Sequence, residues 1–332
     1  MTFRIDRTVA ITLGVLLLLF AVCALQFPFV LSTRVLGNLL TDNAVLGLMA
    51  IGMTVVIITG GIDLSAASVL AFVAVFLGVM ITQHDMDPLL AFGLALMLGM
   101  GFGALQGLAI AELGAPPFIV TLAGMFVARG AAFLLTQESV PIVHPFYDAL
   151  GQAAIPLPGH GKLTISALIM LLSFTVVAII LRRTRFGANI YALGGSPRAA
   201  ELLGVPVRNT TIAVYALSGF MAASAGILYS LYTRSGYPLA AIGGELDAIA
   251  ATVIGGTQLT GGYGGVLGTL IGVLILGLIQ LYITLQGSWS SWVAKIAIGG
   301  LLLLFILAQR LTSFGPALRR VLSGVLPAGT RQ

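Results

Sequence analysis

Asp63 stands alone. In the stretch VVIITGGIDLSAASVLAFV no other charged residue occurs within a dozen positions of it on either side. An aspartate at the centre of a membrane helix costs about 2.5–3.5 kcal/mol on insertion scales, so its carboxylate must face protein or water rather than lipid. Gly60 and Gly61 just before it let a helix break, and Asp63 or Ser65 can cap the helix that restarts. Such a break leaves free N–H groups facing a solute or water, which makes Asp63 and Ser65 candidates for lining a polar pathway. The plainer reading is that Asp63 only caps the half-helix. The two readings are compatible, and both stay open at this level.

Other polar candidates are thinly spread. Thr121 and Met125 lie one turn apart in PPFIVTLAGMFVARGAAFL, on a stripe that continues to Arg129. They line the pathway or pack the helix, while Arg129 either snorkels to the outer interface or pairs with an inner carboxylate. Asn43 and Gln258 complete a pathway set of Asn43, Asp63, Ser65, Thr121, Met125 and Gln258. Side chains of this type hydrogen-bond hydroxyls without counter-ions, which fits an uncharged polyhydroxy solute.

Covalent chemistry has no foothold. No Gly-x-x-x-x-Gly-Lys-Ser/Thr is present, and the nearest run, PGHGKLT, has Pro156 in place of the first glycine and Leu163 after Lys162. His-Glu-x-x-His and Gly-x-Ser-x-Gly are absent too. His84, His144 and His160 are scattered among loops, and the single cysteine, Cys23, sits in an apolar run, so neither a metal site nor a disulfide is expected. The residues point to passage rather than catalysis.

The elements that must position them are membrane helices. Of 332 residues 58% are apolar and 8% charged, against about 25% charged in a soluble domain. The mean hydropathy is +1.08. Lipid offers no partner to backbone N–H and C=O groups, so helices are the default spanning element. The fold class expected is an all-α polytopic bundle in one domain, embedded over about 9–309, with spans near 9–30, 43–60, 67–83, 89–111, 118–135, 163–181, 211–232, 246–258, 263–284 and 293–309. The segment at Arg4 and Arg7 before VAITLGVLLLLFAVCAL reads as an uncleaved first span.

Ten crossings put both termini on one side, and charge says which. One face receives Arg4, Arg7, Arg182, Arg183, Arg185, Arg198, Arg208, Arg310, Arg319, Arg320 and Arg331, which makes it the cytoplasm, with 310–332 as a cytoplasmic tail. This asymmetry also accounts for the net charge of +5 without a nucleic-acid partner. The opposite face is acidic, and its loop from Thr136 to Lys162, rich in Pro and Gly, reads as a folded surface that could meet a partner.

Two further patterns bear on organisation. Gly60-Gly61-Ile-Asp-Leu-Ser65 and Gly255-Gly256-Thr-Gln-Leu-Thr260 share Gly-Gly-x-x-Leu-Ser/Thr on the same face, which suggests two related halves in parallel orientation. Gly264, Gly268 and Gly272 recur at every fourth position, a spacing for close helix packing.

The stretch RRTRFGANIYALGGSPRAAELLGVP, within the loop 182–210, differs from all this. Ser196 is a good N-cap, Pro197 suits the first turn, Gly204 a C′ position, and Pro206 blocks continuation. A helix this short must pack on something. Its apolar Ala199, Leu202 and Leu203 lie against the chain's own surface or form a knob for a cytosolic partner, with Arg198 and Glu201 pointing elsewhere.

GGIDLS, PPFIVTLAGMFVARG, TRFGANIYALGGSPRAAELLGV and ELDAIAATVIGGTQLTGGYGG, in this order, resemble the permease subunits of bacterial ABC importers for monosaccharides, the ribose, xylose and galactose group, over about 30–310. TRVLGNLLTDNAVLGLMAIGMTVVI and SWSSWVAKIAIGGLLL are most similar to a permease of galactofuranose importers. The resemblance implies a bacterial inner-membrane subunit without an ATPase site of its own. Its partners would be a second, different permease, a cytosolic ATP-binding subunit using ATP and magnesium, and a periplasmic sugar-binding protein. It also implies that Ser196, Arg198, Ala199, Ala200, Glu201, Leu202, Leu203 and Gly204 form the helix that couples the ATPase to the spans. Of the Glu-Ala-Ala signature of other ABC importers, only Ala199-Ala200 before Glu201 and Gly204 are matched. The rival from another class is an ion-driven secondary transporter with Asp63 as its ion site; an intramembrane enzyme lacks its motifs.

Overall fold

The computed structural model describes residues 7–290 and 292–307. Its helices are α1 (Arg7–Gln26), α2 (Thr33–Asp42), α3 (Ala44–Ile58), α4 (Ala66–Gln83), α5 (Pro88–Leu113), α6 (Pro117–Leu135), α7 (Pro145–Gln152), α8 (Ile165–Arg183), α9 (Arg185–Gly195), α10 (Pro197–Leu202), α11 (Val207–Thr233), α12 (Gly244–Ile254), α13 (Val266–Gln286) and α14 (Trp292–Leu307). Every expected span contains one of them. Arg4 and the tail from 310 onward lie outside the described residues.

Seven of these helices are long and apolar enough to cross a membrane, and α2 with α3 meets the same test as a pair bent by 52°. The bend falls at Asn43, whose side-chain amide donates to the Leu39 carbonyl at 2.8 Å where the helix ladder is interrupted. The remaining two expected spans are short. At 1.5 Å per residue the 11-residue α12 covers only about 16 Å of an apolar layer about 30 Å thick. The chain from Gly255 to Gly265 continues it without helix.

Burial is uneven. α3 and α4 form the centre, with α11 packed along α3, α4 and α5, whereas α1, α5, α6 and α8 keep broad apolar faces open. Backbones touch where side chains are absent. A Cβ on Gly99 or Gly103 of α5 would meet the backbone of α11 at Gly219 or Tyr215, so small residues set this crossing. Gly268 and Gly272 do the same for α13 against Gly255 and Ala251. Gly264, the first of that series, lies in the loop instead, against Thr257.

The departure from an all-α chain lies at one end of the bundle. β1 (Val140–Pro141) pairs antiparallel with β4 (Ser235–Gly236), and β2 (Ala154–Leu157) with β3 (Gly161–Thr164). These ladders and α7 make the expected folded loop. His144 is spent there as the cap of α7, its Nδ1 accepting from Phe146 N at 3.1 Å. Tyr147 of α7 reaches Ser230 of α11 at 3.2 Å, and burial pushes its phenol up to about 12. The opposite end carries Arg182, Arg183, Arg185, Arg198 and Arg208, and is called the arginine end below.

Candidate functional site

Both glycine motifs break a helix, and the breaks meet. α3 stops at Ile58 and α4 restarts at Ala66; α12 stops at Ile254 and α13 restarts at Val266. Gly262 N donates to Ile58 O at 2.8 Å, which joins the second break to the last residue of α3 at the arginine end. The repeat therefore marks two helix interruptions that touch. Gly60 takes φ +83°, a left-handed conformation that favours glycine and ends α3 sharply.

The motifs place their polar residues differently. Asp63 is buried, while its counterpart Gln258 is exposed at the arginine end. The Asp63 carboxylate accepts from Ser65 N at 2.9 Å and Ser65 Oγ at 2.6 Å on Oδ1, and from Ser218 Oγ of α11 at 2.6 Å on Oδ2. Charge-assisted bonds of this kind are about twice as strong as neutral ones, and here they tie the start of α4 to α11. Asp63 orders the turn before the restarting helix by accepting from Ser65 N, but that helix has no side-chain cap: its N-cap position is Ser65, and neither Ser65 nor Asp63 bonds a first-turn N–H. It also forms the middle of a buried polar layer.

That layer reaches α5 and α6. Ser65 Oγ lies 3.2 Å from the Gln106 side-chain amide of α5. The contact is from Ser65 Oγ to Gln106 Oε1, and the Gln106 side-chain nitrogen is buried without a hydrogen-bond partner among the described residues. Thr121 of α6 is buried and holds the Ile62 carbonyl at 3.1 Å, fixing the residue before Asp63. Met125 sits one turn further along, half-buried. Asp63, Ser65 and Thr121 thus come together, whereas Asn43 lies at the far end of α3 and Gln258 on the surface.

Sequence reading missed Gln106, Ser218 and Tyr215. The Tyr215 hydroxyl is buried without a hydrogen-bond partner among the described residues, and a Cβ on Gly61 would collide with it. It missed a second buried cluster as well. Thr54 of α3 lies 2.6 Å from Thr269 of α13 and 3.5 Å from Thr252 of α12, hydroxyl to hydroxyl. Each was legible as a polar residue within an apolar run, the signal that exposed Asp63, but without a charge it drew no attention. Arg129 reaches the loop after α11: its Nη1 donates to the carbonyls of Pro238 at 2.6 Å and Ala240 at 2.8 Å, and the Glu245 carboxylate is near enough to interact with its charge.

The short helix is α10. Ser196 Oγ accepts from Ala199 N at 3.3 Å, and Gly204 takes φ +79° just after it, so both ends are capped as the sequence predicts. Ala200 faces inward and is buried, while Arg198, Ala199, Glu201, Leu202, Leu203 and Gly204 are exposed. Leu202 and Leu203 are 86% and 82% exposed, two large apolar side chains side by side outside the spans. α9, which leads into α10, is wedged against both breaks. A Cβ on Gly194 would collide with Ile58 O and Gly262 N, and Tyr191 donates to Gly264 O at 2.8 Å.

Residues 35–307 match the family model described as the permease component of the branched-chain amino acid transport system. The chain belongs to this family. It is therefore a multi-pass membrane permease component of an ABC transporter, not an enzyme, and ATP hydrolysis resides in a partner subunit. The permease is 53% identical over 300 residues, 90% of its own length and 91% of the relative's, to the inner membrane ABC transporter permease protein YjfF of Escherichia coli. It is 38% identical over 301 residues, 90% and 91% of the two chains, to the ribose import permease protein RbsC of Bacillus subtilis. It is 33% identical over 317 residues, 93% of each chain, to the fructose import permease protein FruG of Bifidobacterium longum. No solved structure matches the permease.

The family model starts after α1 and ends with α14, so both breaks, the Asp63 layer, α9 and α10 all fall inside it. The permease thus presents an exposed apolar knob at the arginine end. Close backbone contact links that knob to the two interruptions in its spans.

Proposed function

We propose that the chain is the permease subunit of a bacterial ABC importer for a neutral monosaccharide, with galactofuranose the sugar put first. The ribose and fructose permeases among its relatives support the sugar class; the resemblance around Thr33–Ile57 and Ser288–Leu303 is what puts galactofuranose first. The chain forms the pathway together with a second, different permease. A periplasmic binding protein delivers sugar to the end formed by β1–β4 and α7, and a cytosolic subunit uses ATP and magnesium at the arginine end.

In this reading the chain makes ten crossings with both termini in the cytoplasm, α12 with its following loop and α14 serving as the two short ones; the seven long apolar helices support its multi-pass character. The single domain comprises the spans over about 9–309, the coupling loop 182–210 and the tail 310–332. Pathway residues are drawn from Asn43, Asp63, Ser65, Thr121, Met125 and Gln258. Asp63, Ser65 and Thr121 order the break at the arginine end, and few charges suit an uncharged solute.

The observation that carries the reading is the exposed pair Leu202 and Leu203 on a capped helix whose Ala200 is anchored. An apolar pair left in water at the end of a membrane protein marks a docking point. ATP binding draws the cytosolic subunits together and moves α10. α9 passes that movement to Ile58 and Gly262, where both breaks are held. The test is co-purification from native membranes: wild type is expected to bring down an ATPase and a second permease, and a Leu202→Asp, Leu203→Asp variant to lose the ATPase but keep the permease. An ATPase retained by the variant removes α10 from the contact.

A further inference from the structure

A cavity of about 280 Å³ opens between α2, the start of α3 and the last turns of α13, at the end away from the arginines. Its wall is mostly apolar, with Asn38, Asp42, Asn43, Gln280 and Thr284 as its polar members and Phe29 lining it as well. Asn38 and Asp42 lie four residues apart on α2, Gln280 and Thr284 four apart on α13, so two polar stripes face each other across the space. The α13 sequence is otherwise apolar over most of its length, and nothing in helix packing calls for a glutamine there.

Asn38, Asp42, Gln280 and Thr284 are exposed; the Thr284 hydroxyl is spent on Gln280 O at 2.8 Å, while the hydrogen-bonding capacity of the others is largely free within the chain. Among the described residues none bonds the side-chain amides of Asn38 or Gln280. Asp42 accepts from Tyr232 at 3.2 Å on Oδ1, which leaves Oδ2, and Asn43 gives its N–H₂ to Leu39 O at 2.8 Å, which leaves its carbonyl oxygen. Two amides supply donors and acceptors together, a carboxylate accepts from two hydroxyls, and an aromatic face covers the C–H side of a ring. No lysine or arginine lines the space, so an anionic ligand has no counter-charge. The volume lies just below the range of about 300–1,000 Å³ for drug-sized ligands, which suits one sugar ring rather than a chain of them.

We propose that this cavity is an outer receiving subsite for a single neutral monosaccharide, its hydroxyls held by Asn38, Gln280 and Asp42. The proposal rests on the reading of the chain as a sugar permease and adds where the solute first binds.

The test uses the importer complex purified through this chain, in lipid nanodiscs, with D-ribose, D-fructose and D-galactose as probes and saturation-transfer NMR as the readout for weak binding. Wild type is expected to transfer saturation to at least one sugar. An Asn38→Leu, Gln280→Leu variant is expected to lose about fivefold or more of that signal, as the loss of two hydrogen bonds requires, while holding its partner subunits. Asp42→Asn, which keeps the shape of the wall, is expected to weaken binding to a smaller extent. A complex that imports a sugar in cells yet binds it equally well with all three substitutions overturns the subsite and leaves the permease reading standing. A chain that brings down no ATPase and supports no sugar uptake overturns the permease reading, and the subsite with it.

Discussion

Gly194 of α9 lies so close to the carbonyl of Ile58, the last residue of α3, that no Cβ fits between them. The same point touches Gly262 of the second break. Helix α9, carrying the exposed α10 at its end, is in this way seated on both interruptions at once. Since the obstructing atoms are backbone, they cannot step aside as a flexible side chain would.

Gly194→Ala is accordingly expected to destabilise the chain by about 1–3 kcal/mol, the usual range for overpacking, and to depress uptake strongly. Gly195→Ala, one residue on with nothing within 4 Å of its added Cβ, serves as the control and is expected to behave as wild type. Thermal midpoints of the two purified variants, with uptake in cells at matched protein levels, check this. Equal behaviour of the two variants contradicts the tight seat of α9.

Asp63→Ala removes the acceptor of three buried donors on Ser65 and Ser218. An unsatisfied buried donor costs about 1–3 kcal/mol, so the variant is expected to lose both stability and transport, and Asp63→Asn, which keeps one acceptor oxygen, to lose less of each. Unchanged uptake by Asp63→Ala at normal abundance strikes Asp63 from the pathway set.

Thr54 and Thr269 join α3 to α13 through a hydroxyl contact of 2.6 Å. Interhelical hydrogen bonds within membrane proteins average about 0.6 kcal/mol and reach about 1.7 in double-mutant cycles. A cycle on Thr54→Val and Thr269→Val is expected to give a coupling energy in that range. A value indistinguishable from zero shows that packing, not the hydroxyls, holds the two helices.

Much of this was written in the sequence, because lipid leaves few choices. Ten apolar segments were expected and each holds a helix, and Gly60-Gly61 foretold the break from which α4 restarts. The bend at Asn43 was not legible, since no proline or glycine marks it and it follows from one side-chain bond to Leu39. Nor was the shortness of α12, whose apolar run continues past the point where the helix ends. Asp63 announced itself by its charge. Gln106 and Ser218 did not, being 41 and 155 residues from the partners they meet. Gln258, equivalent to Asp63 in the repeat, shows that equal position in a motif does not mean equal burial.

Arg129 bonds two carbonyls in the loop between α11 and α12. Arg129→Leu leaves both without their donor, so the segment 237–243 is expected to be cut faster in limited proteolysis, with the rest of the bundle protected as before. Cleavage at the wild-type rate means that the guanidinium does not brace the loop.

The most direct test of the central claim is transport by the purified assembly in proteoliposomes that carry the sugar-binding protein on one side and ATP with magnesium on the other. Sugar accumulation is expected to require ATP, to be unaffected by proton or sodium gradients, and to disappear with the Leu202→Asp, Leu203→Asp variant. Uptake by this chain alone, driven by an ion gradient and indifferent to ATP, contradicts it.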